Sequence, residues 1–536
     1  MSNRSRQFTI EIREFAFIWA ALLLLVAISV GCGSGEKSIS EQDEKNQNPK
    51  AAQPQSNQNL SSNADDSEAL PDSKIKIDDD QASDPPAIRP KDKNEVNKNE
   101  DPNQGLAPPA QFTPPDLVSV DDDRIQSCGI QKLEGKHITL YTDVRDSKEI
   151  KSYPDVFDQA VRQWCQYFSV SEEKPSDWKM QVFVIADKDA FRKAGLLNDQ
   201  LPRFATGYQH GNQIWIYVQE DSYYTRHLLV HEGTHGFMQK FLGGYGPPWY
   251  AEGMAEMLAV HRWKENQLKL RYPVRNAKDT EGWGRVRIIR DAYKNEKALT
   301  LEEAMSFGGQ DFFHASRPYA WSWAACYFLS QHPISRKAFA EHQSQVRRDA
   351  NDFTQTLVKQ IPDWKSLEKE WQLFVDEMDY GFDVEAASIR DVKTVVDSVN
   401  NKRLAVIDSE KGWHRLDFDV EPGVVYTIRT TGEFQIAERE HGGKREKWLS
   451  EPNGVSIEYH RGRPLGIVVV GVDAVDDKGK SELLNVVSAH DRRYVPRVAG
   501  KLCVRINDSP ARLHDNMGTV QFEILRHGPS KERPSK

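Results

Sequence analysis

"HEGTHGFMQKFLGGYGPPWYAEGMAE", residues 231–256, sets His231 and His235 four apart around Glu232, and then Glu252 and Glu256 four apart beyond a glycine- and proline-rich break. The stretch just before it extends the pattern. Leu228, His231, His235, Met238 and Leu242 recur at helical spacing, which predicts a helix that stops at Gly243 and Gly244. Residues i and i+4 share a helix face, so both imidazoles can turn toward one ion. Pro247 and Pro248 close the connection and start a second helix near Trp249, with Glu252 and Glu256 on one face. In the otherwise apolar "MAEMLAV", an inward carboxylate is costly unless it meets a cation.

Two imidazoles and a carboxylate are a donor set that zinc accepts, with a fourth position left to water in catalytic sites. His231 and His235 are therefore two expected zinc ligands, and the third should come from a carboxylate of the second helix. Glu232 lies one residue round from His231, placed to reach that water as a general base. A purely structural zinc site needs no base at this position, so Glu232 favours an enzyme over a non-catalytic cell-envelope binding protein with structural zinc.

With these residues in hand, H-E-x-x-H followed by W-x-x-E-G-x-A-E resembles the gluzincin metallopeptidases, in particular the peptidase-MA-like group. The resemblance spans roughly residues 130–380 and is strongest over 228–260. It implies a zincin-like fold, hydrolysis of peptide bonds in a peptide or protein substrate, Glu252 as third ligand, and Glu256 as support for a zinc-bound histidine. It also implies that the helix in "RPYAWSWAACYFLSQ" turns Tyr319 toward the site to stabilise an oxyanion, with His210, His261 and His314 as alternatives.

Upstream, "KHITLYTD" and "KMQVFVIAD" read as strands, "YPDVFDQAVRQWCQYF" as an amphipathic helix, and "FATGYQHGNQIWIYVQE" as a hairpin with its turn at His210–Asn212. That hairpin is a candidate edge on which an extended substrate pairs. Strands first and helices after predict an α+β domain over residues 125–384.

The chain of 536 residues is too long for one ordinary domain. Arg4 and Arg6 followed by "FAFIWAALLLLVAISV" predict an export signal over residues 1–32. The small residue before Cys32 resembles a bacterial lipoprotein signal, which implies a lipid on Cys32 and attachment to a membrane of the cell envelope; Ser29 departs from that signal, and an uncleaved anchor helix is the alternative. Residues 33–124 are Asn, Gln, Ser, Asp, Lys and Pro with scarcely an aromatic, and read as a flexible polar linker. The formal charge of −9 is spread through mixed-sign sequence without a basic stripe, which excludes nucleic-acid binding. Export permits disulfides, but Cys128, Cys165, Cys326 and Cys503 are too few for a disulfide scaffold; they read as buried thiols, with a Cys128–Cys165 bridge as the alternative.

From 385 to 536 the pattern changes to short alternating strands between turns, which predicts an all-β sandwich. "GKLCVRINDSPARLHDNMGTVQFEI" resembles the bacterial calcium-dependent galactophilic lectins. The resemblance implies calcium held by Asp508, Asp515 and Asn516 and a carbohydrate partner, with His460 loosely matching a sugar-contacting loop. Arg512 departs from it, because it sets a cation where those lectins have a hydroxyl.

Overall fold

The computed structural model describes residues 118–529, apart from Gln200, His314, Asp349 and residues 400–401, 476–480 and 489–491. The expected signal, Cys32, most of the linker and the alternative His314 lie outside the described residues. Among those described, no helix is long and apolar enough to cross a membrane.

The chain forms a mixed α/β part followed by a part built from strands. In the first, strands β1 (Gln131–Glu134), β2 (Ile138–Thr142), β3 (Met180–Ile185), β4 (Gly207–His210) and β5 (Gln213–Tyr217) make one sheet in the order β1-β2-β3-β5-β4. The β2/β3 and β3/β5 pairs are parallel, and the two outer pairs are antiparallel; β6 (His261–Lys264) and β7 (Gln267–Leu270) form a separate two-stranded sheet later in this part. β3 reads as a near-continuous apolar run and β2 is buried along its whole length, because both of their faces are covered.

On one face lies helix α1 (Tyr153–Tyr167), whose Val156, Phe157, Ala160, Val161 and Trp164 point inward at helical spacing. The main core continues from there through α2 (Ser222–Phe237), α3 (Pro248–Ala259), α4 (Ser316–Gln331) and α5 (Trp364–Asp376). The opposite face carries a smaller cluster of Ile125, Tyr141, Phe183, Ile185, Phe191 and Trp215.

All four described cysteines are free thiols, and the sheet explains why the alternative Cys128–Cys165 bridge does not form. Cys165 sits in the main core, while Cys128 packs against the cluster on the other face. The fold also starts earlier than the composition implies. Val118 is buried, its N–H donates to Gln213 Oε1 at 3.2 Å, and Asp121 caps the helix Asp122–Ser127.

The second part packs two sheets face to face. One has β9 (Val395–Asp397), β10 (Lys402–Asp408), β12 (Val424–Thr431), β18 (Arg492–Tyr494) and β20 (Thr519–Pro529) in the order β18-β12-β20-β10-β9. The other has β8 (Arg390–Val392), β11 (His414–Val420), β15 (Asn453–His460), β16 (Arg463–Val475) and β19 (Gly500–Ile506) in the order β15-β16-β19-β11-β8, with β17 (Ser481–Ser488) on β16. A hairpin of β13 (Phe434–His441) and β14 (Lys444–Ser450) stands at one end. Inward residues of both sheets, among them Ile407, Tyr426, Val470, Val504 and Phe522, form one core.

The two parts are joined at α5 and the residues just after it. Lys369 pairs with Asp473 at 2.7 Å, Asp376 with Arg461 at 2.5 Å and Glu377 with Arg505 at 2.8 Å.

Candidate metal centre

Helix α2 is capped by Asp221, which accepts from the N–H groups of Tyr223 and Tyr224. It passes into one π-helical turn, Met238–Leu242, and ends at Gly243 with φ +79°. Its sequence sorts its faces. Gly233 and Gly236 turn toward Phe157, Trp164 and Met180, where a β-carbon would stand 2.7–2.8 Å from side-chain atoms. His231 and His235 face away from that contact, toward α3. Gly253 on α3 lies against the Ser322 carbonyl and Cys326 of α4, which brings α3 and α4 into close approach beside Glu252.

The result is a triangle of ligand-type atoms. His231 Nε2 lies 3.2 Å and His235 Nε2 3.5 Å from Glu252 Oε2, and the two imidazole nitrogens are 3.3 Å apart. Atoms about 2.0–2.1 Å from one ion at tetrahedral angles lie about 3.3 Å from one another. The residues therefore fit zinc. Glu252 Oε2 is also buried without a hydrogen-bond partner, so a cation is what satisfies it. Burial alone would raise the Glu252 carboxyl, but His235 and His231 beside it hold it down at about 2.

Glu232 stands beside the triangle and is only 7% exposed. Gly207, the first residue of β4, lies directly over its carboxylate, and a side chain at 207 would collide with Oε1. Burial pushes the Glu232 carboxyl up to about 8; His235 opposes the rise, and Glu252 and Glu256 add to it. β4 is the edge of its sheet, as the hairpin reading expects.

Glu256 lies behind His231, with Oε1 3.6 Å from Nδ1. It is 2% exposed and accepts from Trp283 Nε1 at 2.8 Å and from Arg285 Nη2 and Nε at 3.0 and 3.2 Å. Burial opposes its charge, and Arg285, then His227 and His231, overrule burial and hold its carboxyl well below the ordinary range. His227 Nε2 is 3.5 Å away on the other side. His227, His231 and Glu256 also converge closely enough to suggest a metal. Three N–H donors already occupy this carboxylate, which makes the group a support for His231.

Tyr319 is half-buried on α4, its ring 6.2 Å from that of His231 and under the Arg285 guanidinium. Burial, and then the carboxylates of Glu252, Glu232 and Glu256, raise its phenol and keep it protonated. Of the alternatives, His210 ends β4 stacked on Tyr208. His261 is spent elsewhere: its Nε2 accepts from Arg226 at 2.7 Å and its Nδ1 meets the Ala259 carbonyl at 2.7 Å.

Several residues of this centre are not evident from the motif. His227 continues the four-residue spacing one turn upstream, a signal that was there to find. Tyr245 lies in the glycine loop, its ring 5.8 Å from that of His235, and its hydroxyl donates to Gln209 Oε1 on β4 at 3.0 Å. Trp283 comes from the turn before a later helix and Arg285 from that helix's first residue, and nothing in the spacing marks them.

In the C-terminal part, Asp508, Asp515 and Asn516 are brought together at one end of the sandwich. Asp508 Oδ2, Asp515 Oδ1 and Asn516 Oδ1 are buried without hydrogen-bond partners, as is Oε1 of Gln435, whose Nε2 donates to the Asp515 carbonyl at 2.6 Å. Arg512 Nε is 3.9 Å from Asp508 Oδ1, and its guanidinium also bonds Glu458. His460 turns to Glu377 of the first part, with Nε2 3.5 Å from Oε2.

No family model matches the chain. No curated protein matches it either. Among solved structures the chain is similar to one described as "EclA N-terminal domain; PllA-like lectin", at 17% identity over 23% of this chain and 95% of that one, with a TM-score of 0.17.

Proposed function

We propose that residues 125–384 are a zinc-dependent peptidase of the gluzincin kind, exported and held at a membrane through the N-terminal segment. The observation that carries this reading is the triangle of His231, His235 and Glu252, with sides of 3.2–3.5 Å and the Glu232 carboxylate beside it. Zinc bound there would polarise a scissile carbonyl and acidify water. Glu232 takes the proton that water loses on attack and delivers it to the departing amine. Glu256 orients His231, and the protonated Tyr319 phenol donates to the developing oxyanion. β4 offers its free edge to an extended peptide.

Metal analysis of the purified chain should find one zinc, lost in His231→Ala and His235→Ala. Glu232→Gln should keep the zinc and lose cleavage of a peptide library by about 10² to 10⁴ or more. Stoichiometric zinc in both histidine variants, or unchanged cleavage in Glu232→Gln, rejects the reading.

The same proposal gives the sandwich, read as lectin-like, a calcium ion on Asp508, Asp515 and Asn516. Its support is the four buried, unpartnered oxygens at one place. Arg512 opposes the ion electrostatically, so Arg512→Thr should tighten calcium binding measured by titration calorimetry.

A further inference from the structure

The end of the sandwich that carries Asp508 is also the end on which the N-terminal part rests. Asn507, Asp508, Ser509 and Ala511 are each less than 9% exposed, and the segment after α5 touches this loop at Pro510 and Ala511. The Asp383 N–H donates to the Pro510 carbonyl at 3.2 Å. Gly381, at φ +90°, lies so close to the Ala511 carbonyl that a β-carbon would stand 3.1 Å from its oxygen. Arg505 joins the two sides, bonding Glu377 at 2.8 and 3.1 Å and the Asp508 carbonyl at 3.2 Å. Asn507 ties in the neighbouring turn by donating to the carbonyls of His460, Arg463 and Pro464 at 3.0–3.1 Å. Arg461 in that turn grips Asp376 at 2.5 and 2.7 Å.

Asp508 therefore belongs to two constructions at once. Its backbone is held by an arginine that the N-terminal part also holds, and its side chain carries a buried, unpartnered oxygen in a carboxyl on which Asn516 and Asp515 both act. We infer that a divalent cation at Asp508, Asp515 and Asn516 is a clasp, which fixes the 508–516 loop in the shape that residues 376–383 grip and so tightens the joint between the two parts. The inference rests on the calcium reading above and adds to it that the ion serves this chain's own assembly. His460, the residue nearest a sugar-contacting role, is directed to Glu377 and is not offered to an outside ligand. Linkage is reciprocal, so the joint must strengthen ion binding as much as the ion strengthens the joint.

Amide hydrogen exchange of the full chain, with and without millimolar calcium, tests this. Calcium should slow exchange in the 508–516 loop and also at Asp383, which lies outside the sandwich. Glu377→Gln removes no proposed ligand, yet it should weaken calcium binding by about 5- to 150-fold, the usual range of coupling between sites. Protection of the loop with Asp383 unchanged, or an unaltered calcium affinity in Glu377→Gln, overturns the clasp and leaves the calcium site standing. No calcium effect anywhere in the wild-type chain removes both.

Discussion

Arg285 and Glu256 show how much of a metal centre lies behind its ligands. Glu232, Glu252 and Glu256 bring three carboxylates into one buried volume. A divalent ion with the Arg285 guanidinium would balance them, and the ion alone would not. Arg285 is 5% exposed and Glu256 2%, so removing one strands the other in a medium that solvates charge poorly. Arg285→Met should cost about 3–5 kcal/mol of stability in chemical denaturation, the usual loss when half of a buried pair is removed. Adding Glu256→Gln should recover part of that loss, a coupling that a double-mutant cycle measures directly. The ligands were legible in the sequence because a helix repeats its face every three to four residues, which makes spacing alone a statement about geometry. Arg285 was not legible. It opens a separate helix after Gly284, and only tertiary packing brings it to Glu256.

At the scale of elements, the glycines place the centre as much as the histidines do. Gly253 lets α3 close on the Ser322 backbone of α4, and backbone cannot move aside as a flexible side chain can. Gly253→Val should therefore push α3 away, destabilise the fold by about 1–3 kcal/mol through overpacking, and weaken zinc binding through Glu252 next to it, read by competition with a chelator. Gly207→Ala acts from the opposite wall. It should leave zinc content unchanged and lower turnover, because the displaced group is the Glu232 carboxylate. Periodicity predicted α1, which buries one face, while the four-residue spacing of the motif and the turn residues predicted α2, α3 and the β4/β5 hairpin. These signals were silent on which side of the sheet an element packs. That is why a Cys128–Cys165 bridge stood as an alternative in sequence although the two lie on opposite faces in the fold.

Across the whole molecule, the boundary expected at 384/385 falls inside a short helix, Val384–Ala387, that packs into the first core. Composition reports where strand-like sequence begins, but a joint made of contacts from both sides leaves no compositional mark. Glu377 at that joint is 7% exposed on its side chain, and although burial would raise its carboxyl, Arg505, His460 and Arg461 hold it at about 2. Its folded value lies below the ordinary 4.5, so its contribution is complete above that pH and is lost as the pH falls toward 2. The contribution is about 3 kcal/mol. The stability difference between wild type and Glu377→Gln, followed by denaturant titration, should shrink across that window and be flat from pH 5 to 7.

Val118 gives the molecule a mechanical property. Gln213 holds its N–H at 3.2 Å and its carbonyl at 3.5 Å, and the same amide bonds Gln181 on β3 at 2.5 Å. A pull on the chain ahead of Val118 is thus delivered to β5 and β3 in the middle of the sheet. The load enters at Gln213, whose backbone is paired with Gln181 of β3 on one side and His210 of β4 on the other, so tension on the chain ahead of Val118 is shared among three strands of the sheet.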